Sequence, residues 1–280
     1  MRGRLGIPRA VTSAVAWQTP LAVALALPRS RFRDAAVYGA QMWAYVTHYE
    51  LPDDDHESQL RRVHLSYPIP IDRAIGLGEV PTLRLQRALG TPGEVRPHDT
   101  ALSIVHWSWF MAPHAALVYI LLRDPERFGS AAARVAAVFD LGVAVYFVLP
   151  TAPPWWAGNA GRLAHVRRIM TEAGEQFWGR AWTRLYDSLS GNQLAAMPSL
   201  HFGTSVIAAR VLAETGRGPG AVGWAYAGTL GFALVYLGEH YVVDLVAGLA
   251  LAECVRALAP RAASVAGGLA RIVRSVEAPA

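Results

Sequence analysis

The chain has 280 residues, enough for one or two soluble domains, but 53% of it is hydrophobic, only 17% is charged and the mean hydropathy is +0.24. A soluble domain carries about 25% charge, so these values disfavour a soluble enzyme and favour several membrane spans in one unit. The net charge of +5 does not imply nucleic acid: all 26 basic residues are Arg, lying mostly in short loops between apolar segments, where the positive-inside rule accounts for them.

In chain order, Arg2, Arg4 and Arg9 precede an apolar run over 10–27 that resembles a signal peptide. Gln18 and Pro20 interrupt the run, and Pro28-Arg29-Ser30-Arg31 is a poor cleavage site. Residues 1–33 are therefore expected to be an uncleaved cytoplasmic or interfacial segment, with 10–27 as an extra span left open. Residues 34–260 are expected to form an all-α, polytopic membrane helix bundle of about six transmembrane helices: 34–49, which is short and aromatic, then 98–122, 131–149, 197–213, 221–237 and 241–259. Two long outer loops, about 50–97 and 150–196, separate some of these, and 261–280 is expected to be a cytoplasmic tail.

The stretch 72–89 is too polar to span, and its spaced Ile, Leu and Val residues predict a helix lying in the interface or packed on the bundle. Asp53-Asp54-Asp55 is most simply a solvated loop. The single cysteine, Cys254, excludes an internal disulfide. Arg29, Arg31, Arg33, Arg123, Arg127 and Arg217 lie in or beside short connections, which places those connections inside and the two long segments outside.

Three stretches carry polar groups where apolar helices tolerate few. Met197-Pro198-Ser199-Leu200-His201 predicts a helix start with Pro in its first turn, and such a terminus favours an anion. His240 and Asp244 are four apart on a predicted helix, so they share a face. A carboxylate on one ring nitrogen fixes the tautomer and frees the other nitrogen as a nucleophile. An ionisable group such as Asp244 inside an apolar helix is usually functional. Pro150-Thr151-Ala152-Pro153-Pro154-Trp155-Trp156 predicts a stiff interfacial loop.

Together these stretches resemble the type 2 phosphatidic acid phosphatase superfamily, in particular its inositol phosphorylceramide synthase (aureobasidin-resistance) branch. Pro198 to His201 resembles the second motif, His240-Tyr241-Val242-Val243-Asp244 with Gly248 the third, and Leu149 to Trp155 the branch's proline–tryptophan signature. The resemblance implies that His240 attacks phosphorus to give a phosphohistidine, Asp244 holds its ring, and His201 protonates the leaving group and then activates the acceptor. It implies neither metal nor other cofactor.

The chain departs from the wider pattern, having no Lys at all and Ala233-Leu234 where a Ser-Arg would stand. Arg162, Arg167 and Arg168 are therefore candidates for the phosphate clamp, and Ser199, Trp155 and Tyr241 complete the expected substrate-binding set. His106 and His114, eight apart on one span, could face the cavity, but structural roles are expected ahead of that.

The expected partners are a phospholipid or polyprenyl-phosphate donor and a lipid or sugar hydroxyl acceptor or water, with no nucleic acid. The expected location is a multi-pass cell membrane with the site facing the extracytoplasmic side. A lipid transferase and a lipid phosphatase share this chemistry. A metal hydrolase, a non-catalytic membrane protein and an ion transporter are the other classes.

Overall fold

Prolines mark where many of the helices begin. Pro68, Pro81, Pro97, Pro113, Pro125 and Pro154 each occupy one of the first two positions of a helix. There a missing N–H costs nothing and the fixed φ is already helical. The computed structural model describes residues 8–50, 56–179, 181–182 and 192–276. The regular secondary structure of the described residues is all helical, with isolated β-bridges and no strand among them.

In chain order the helices are α1 (Arg9–Ala26), α2 (Arg31–Glu50), α3 (His56–Arg62), α4 (Pro68–Ile75), α5 (Pro81–Leu89), α6 (Pro97–Ser108), α7 (Ala112–Arg123) and α8 (Pro125–Val148). They continue with α9 (Pro154–Asn159), α10 (Ile169–Trp178), α11 (Leu200–Ala213), α12 (Arg217–Tyr236) and α13 (Val242–Val276).

The centre of the bundle is α11. It packs against α7, α8, α12 and α13, and its Leu200, Val206, Ile207, Ala209 and Val211 are buried. A helix apolar on all sides belongs in the middle of a core. From α8 the core receives Phe128, Val135, Phe139, Val143 and Tyr146.

Glycines set the tightest contacts. A Cβ on Gly203 of α11 would lie 2.9 Å from the Gly248 carbonyl oxygen of α13, and a Cβ on Gly248 would collide with the Ser199 carbonyl oxygen. Two backbones meet this closely only where side chains are absent.

Several expectations are corrected. The single helix expected over 98–122 is two, α6 and α7, bent by 55° at 109–111. Pro113 has no N–H to give and its ring would clash with the carbonyl one turn back, while the Trp109 indole is held by Thr204 Oγ1 at 2.9 Å. The segment over 10–27 is a helix packed on α2, with Ser13 Oγ 2.7 Å from His48 Nε2. The one helix expected over 72–89 is two, because the chain turns at Leu77 (φ 55°, 89% exposed) and Pro81 restarts it.

Pro198 lies outside the first turn of α11. Ser199 is the N-cap, its Oγ accepting from the Phe202 N–H at 3.2 Å. The two long connections expected as loops carry helices α3 to α5 and α9 to α10. The expected tail continues α13 through Pro260 to Val276, while the acidic run at 53–55 lies outside the described residues. Among the described residues, α8 alone is long and apolar enough to cross a membrane, and α6 with α7 qualify jointly as one bent segment.

Replacing Gly248 with Val should part α11 from α13 and cost about 1–3 kcal/mol, as overpacking generally does. Gly228→Ala on α12, where an added Cβ meets nothing within 4 Å, should be neutral or slightly stabilising. Thermal unfolding of both variants in detergent checks the contrast.

Candidate active site

The third sequence motif begins where α12 stops. Leu237 caps that helix, and Gly238 reverses the chain at φ 86°. This left-handed value favours glycine, and a Cβ there would also lie 2.6 Å from the Arg167 carbonyl oxygen. Glu239 and His240 follow, and α13 starts at Val242.

The first amides of α13 would be orphans without an acceptor. Asp72, fully buried at the far end of α4, supplies one: its carboxylate accepts from Val242 N at 3.0 Å and Val243 N at 2.9 Å. Burial pushes the Asp72 carboxyl up, and these two backbone bonds pull part of the way back.

Asp244 Oδ2 accepts from Tyr241 N at 2.9 Å and lies 3.2 Å from His240 Nδ1. His240 Nε2 in turn lies 3.2 Å from His201 Nδ1. Asp244 is 0% and His240 3% exposed. The network assigns the protons. With His240 Nδ1–H donating to the carboxylate, Nε2 carries a lone pair, and His201 Nδ1 must hold the hydrogen between the rings. The array therefore sets a ring nitrogen with a free lone pair against a ring N–H.

His201 lies against two further rings. Its ring centroid is 4.1 Å from Trp109 and 5.0 Å from His106. Ser199, one of the expected substrate-binding residues, is occupied with scaffolding: its N–H donates to the Asp244 carbonyl at 2.9 Å, and its hydroxyl caps α11.

The Pro-Trp stretch is a strap within the structure. Pro150 and Ala152 bond to both sides of His64, and Thr151 bonds to Leu194 and Ala196. Trp155 N donates to the Gly238 carbonyl at 3.3 Å. The strap thus joins the start of the second motif to the turn before the third.

The three candidate arginines go separate ways. Arg168 makes two hydrogen bonds to Glu239, at 2.9 and 3.3 Å, and its guanidinium lies 4.0 Å over the Trp155 ring. Arg167 binds Glu172 and the carbonyls of Thr91 and Glu94, which engages its guanidinium donors. Arg162 is exposed after α9, and no contact among the described residues joins it to either imidazole. Tyr241 is buried in the apolar cluster of Ile69, Val80, Trp155, Leu163 and Val166, so its expected substrate contact becomes a core position.

Two residues near the imidazoles were assigned no site role by the sequence analysis. His106, expected to be structural, stacks on His201, while His114 turns away to the Tyr38 hydroxyl at 2.8 Å. Glu239 anchors Arg168. A signal existed for each: a buried-looking His on an apolar helix, and an acid next to the motif histidine.

Comparison with family models matches residues 71–258 to the PAP2 superfamily. No curated protein and no solved structure matches the chain.

Burial alone would raise the Glu239 carboxyl, but Arg168 overrides it and holds the group below its ordinary value. A depressed carboxylate stabilises the fold above its unfolded value, and that contribution is lost as pH falls through the folded one. Glu239→Gln should cost about 2 kcal/mol near neutrality. Its melting temperature should converge with that of the unsubstituted protein in acid, as a melting series against pH would show. Asp72→Ala, which removes a helix cap, should cost about 1–2 kcal/mol by the same measurement.

Proposed function

Because the chain belongs to the PAP2 superfamily and is a phosphatase or phosphotransferase, we propose that it is an integral-membrane lipid phosphotransferase. It would move a phospho-headgroup, such as phosphoinositol, or a phosphate from a lipid donor to a hydroxyl acceptor. The observation that carries this is the continuous line from Asp244 through His240 to His201, two 3.2 Å contacts in one buried array. Membership decides for an enzyme over the transporter and non-catalytic alternatives.

In the first half-reaction, His240 Nε2 attacks phosphorus. A P–N bond forms, the P–O bond to the leaving group breaks, and the His201 Nδ1 proton goes to the departing oxygen. Asp244 keeps the His240 ring in the correct tautomer and balances the charge that develops on it. In the second, the acceptor oxygen attacks the phosphohistidine, its proton passes to His201, and the P–N bond breaks. At 3.2 Å the two imidazoles leave no room for a phosphoryl group between them, so substrate must part the rings. The stacked His201 is the ring with neighbours to slide against.

Arg168, held beside the motif by Glu239 and Trp155, is the arginine of the three that this chemistry would use, because a guanidinium matches phosphate oxygens. Trp109 against the His201 ring and the burial of His240 and Asp244 keep bulk water away from the imidazoles, which supports an alcohol as the acceptor. The Pro-Trp strap supports the inositol phosphorylceramide synthase-like branch. Where water resolves the intermediate instead, the product is that of a lipid phosphatase acting on phosphatidate-like or polyprenyl phosphates.

A multi-pass membrane setting is supported by outward apolar side chains such as Ile104, Val118, Leu122, Val148 and Val222, which are 52%, 53%, 65%, 81% and 69% exposed. The orientation is supported by ion pairs at the end of the bundle away from His240. There Arg134 meets Glu214 at 2.5 Å and Arg210 meets Glu253 at 2.7 Å. Arg134 lies in the first half of α8 and Arg210 in the last turn of α11, the helix halves that lead into short connections; arginine there favours the cytoplasmic face and supports an extracytoplasmic side for the imidazoles.

Incubation of the purified protein with labelled phospholipids and polyprenyl phosphates tests the proposal, with and without an alcohol. Label should be trapped on His240 and be absent in His240→Ala. Asp244→Asn should lower turnover by roughly 10⁴, and His201→Ala by roughly 10²–10⁴. Turnover that persists in His240→Ala would overturn the mechanism, and the labelled product separates transfer from hydrolysis.

A further inference from the structure

His106 ends α6 immediately before the break at 109–111, and its ring lies nearly parallel to that of His201, with 28° between the planes and 5.0 Å between centroids. It is 3% exposed, and neither Nδ1 nor Nε2 has a hydrogen-bond partner among the described residues. Buried polar atoms are almost always paired, and an exception calls for a physical cause. Packing explains the stack but not the nitrogens, since an apolar ring would stack without leaving two polar atoms unmet.

No carboxylate is bonded to it, as Asp244 is to His240, and a buried ring with both nitrogens unpaired is neutral. A neutral imidazole offers one N–H and one lone pair. That combination matches a hydroxyl group, which both donates and accepts, and it mismatches a phosphate, which only accepts. The ring also lies against the residue that must take the acceptor's proton.

We propose that His106 forms the acceptor-alcohol subsite, binding the hydroxyl of an alcohol substrate beside His201 for the second half-reaction. This rests on the phosphohistidine mechanism proposed above. The alcohol oxygen forms the new P–O bond, the P–N bond to His240 breaks, and the alcohol proton goes to His201. His106 touches the hydroxyl and orients it, with no net proton gained or lost. Water can make the same contact, but at its far higher concentration it depends on it less than a dilute alcohol does, so losing the contact costs transfer at low alcohol more than hydrolysis.

His106→Phe keeps the stack and removes both nitrogens, His106→Leu removes the nitrogens and the ring, and His106→Gln restores a donor and an acceptor. Each would be assayed with the donor that labels His240 in the unsubstituted protein, against glycerol, inositol and a long-chain alcohol as acceptors. The Phe variant, which keeps the stack on His201, should label His240 within about threefold of the unsubstituted rate and hydrolyse normally. Transfer at low alcohol should fall by roughly tenfold or more, with the alcohol KM raised and transfer partly recovered in the Gln variant. Labelling and transfer falling in proportion, transfer left intact, or failure of both apolar variants to fold would make His106 a packing residue and overturn the proposal. Label on His240 with no alcohol accepted by the unsubstituted protein would overturn it as well. Absence of label on His240 in the unsubstituted protein would instead sink the phosphohistidine mechanism, and the subsite with it.

Discussion

The contact of α11 with α13 at Gly203 and Gly248 governs the rest. His201 and His240 belong to different helix starts, 39 residues apart in the chain, and their separation is set by how closely those helices cross. With the Ser199 carbonyl against Gly248, and the Ser199 N–H bonded to the Asp244 carbonyl, the two motifs share one block of backbone. An alanine at either glycine would have to push the imidazoles apart, because a packed interior has no slack to absorb it.

Around that crossing, the parts that aim the side chains come from elsewhere. Asp72 satisfies the first amides of α13, Gly238 reverses the chain, and the strap at 150–155 ties the turn to the second motif. None of these groups performs chemistry on phosphorus. They hold the His240 ring in one orientation, and under the proposed mechanism positioning of that kind would supply much of the rate of an in-line attack. The ion pair of Arg168 with Glu239 serves in the same way, bringing a cation close while a carboxylate balances it.

Helix existence was legible from apolar runs, and the His240–Asp244 pairing from the four-residue spacing, because both depend on local periodicity. The breaks were less legible. Pro113 signalled one that the apolar run over 98–122 concealed, and Leu77 with Pro81 divided a stretch that spacing alone read as continuous. Arg167 and Arg168 are neighbours in sequence, yet one holds Glu172 and the other Glu239. In non-helical backbone successive side chains diverge, so shared membership of a basic run carries no information about a shared target.

By itself, then, the sequence determined an all-helical chain, the imidazole–carboxylate pair one turn apart, and the family to which its motifs point. These are properties of segments a few residues long, where spacing maps directly onto geometry. Only the tertiary structure decided that Asp72 caps a helix 170 residues away, that Ser199 braces two helices, and that His106 lies against His201 with its nitrogens unmet. Those outcomes depend on which helix face meets which, and that is set by packing between distant segments that no local period encodes.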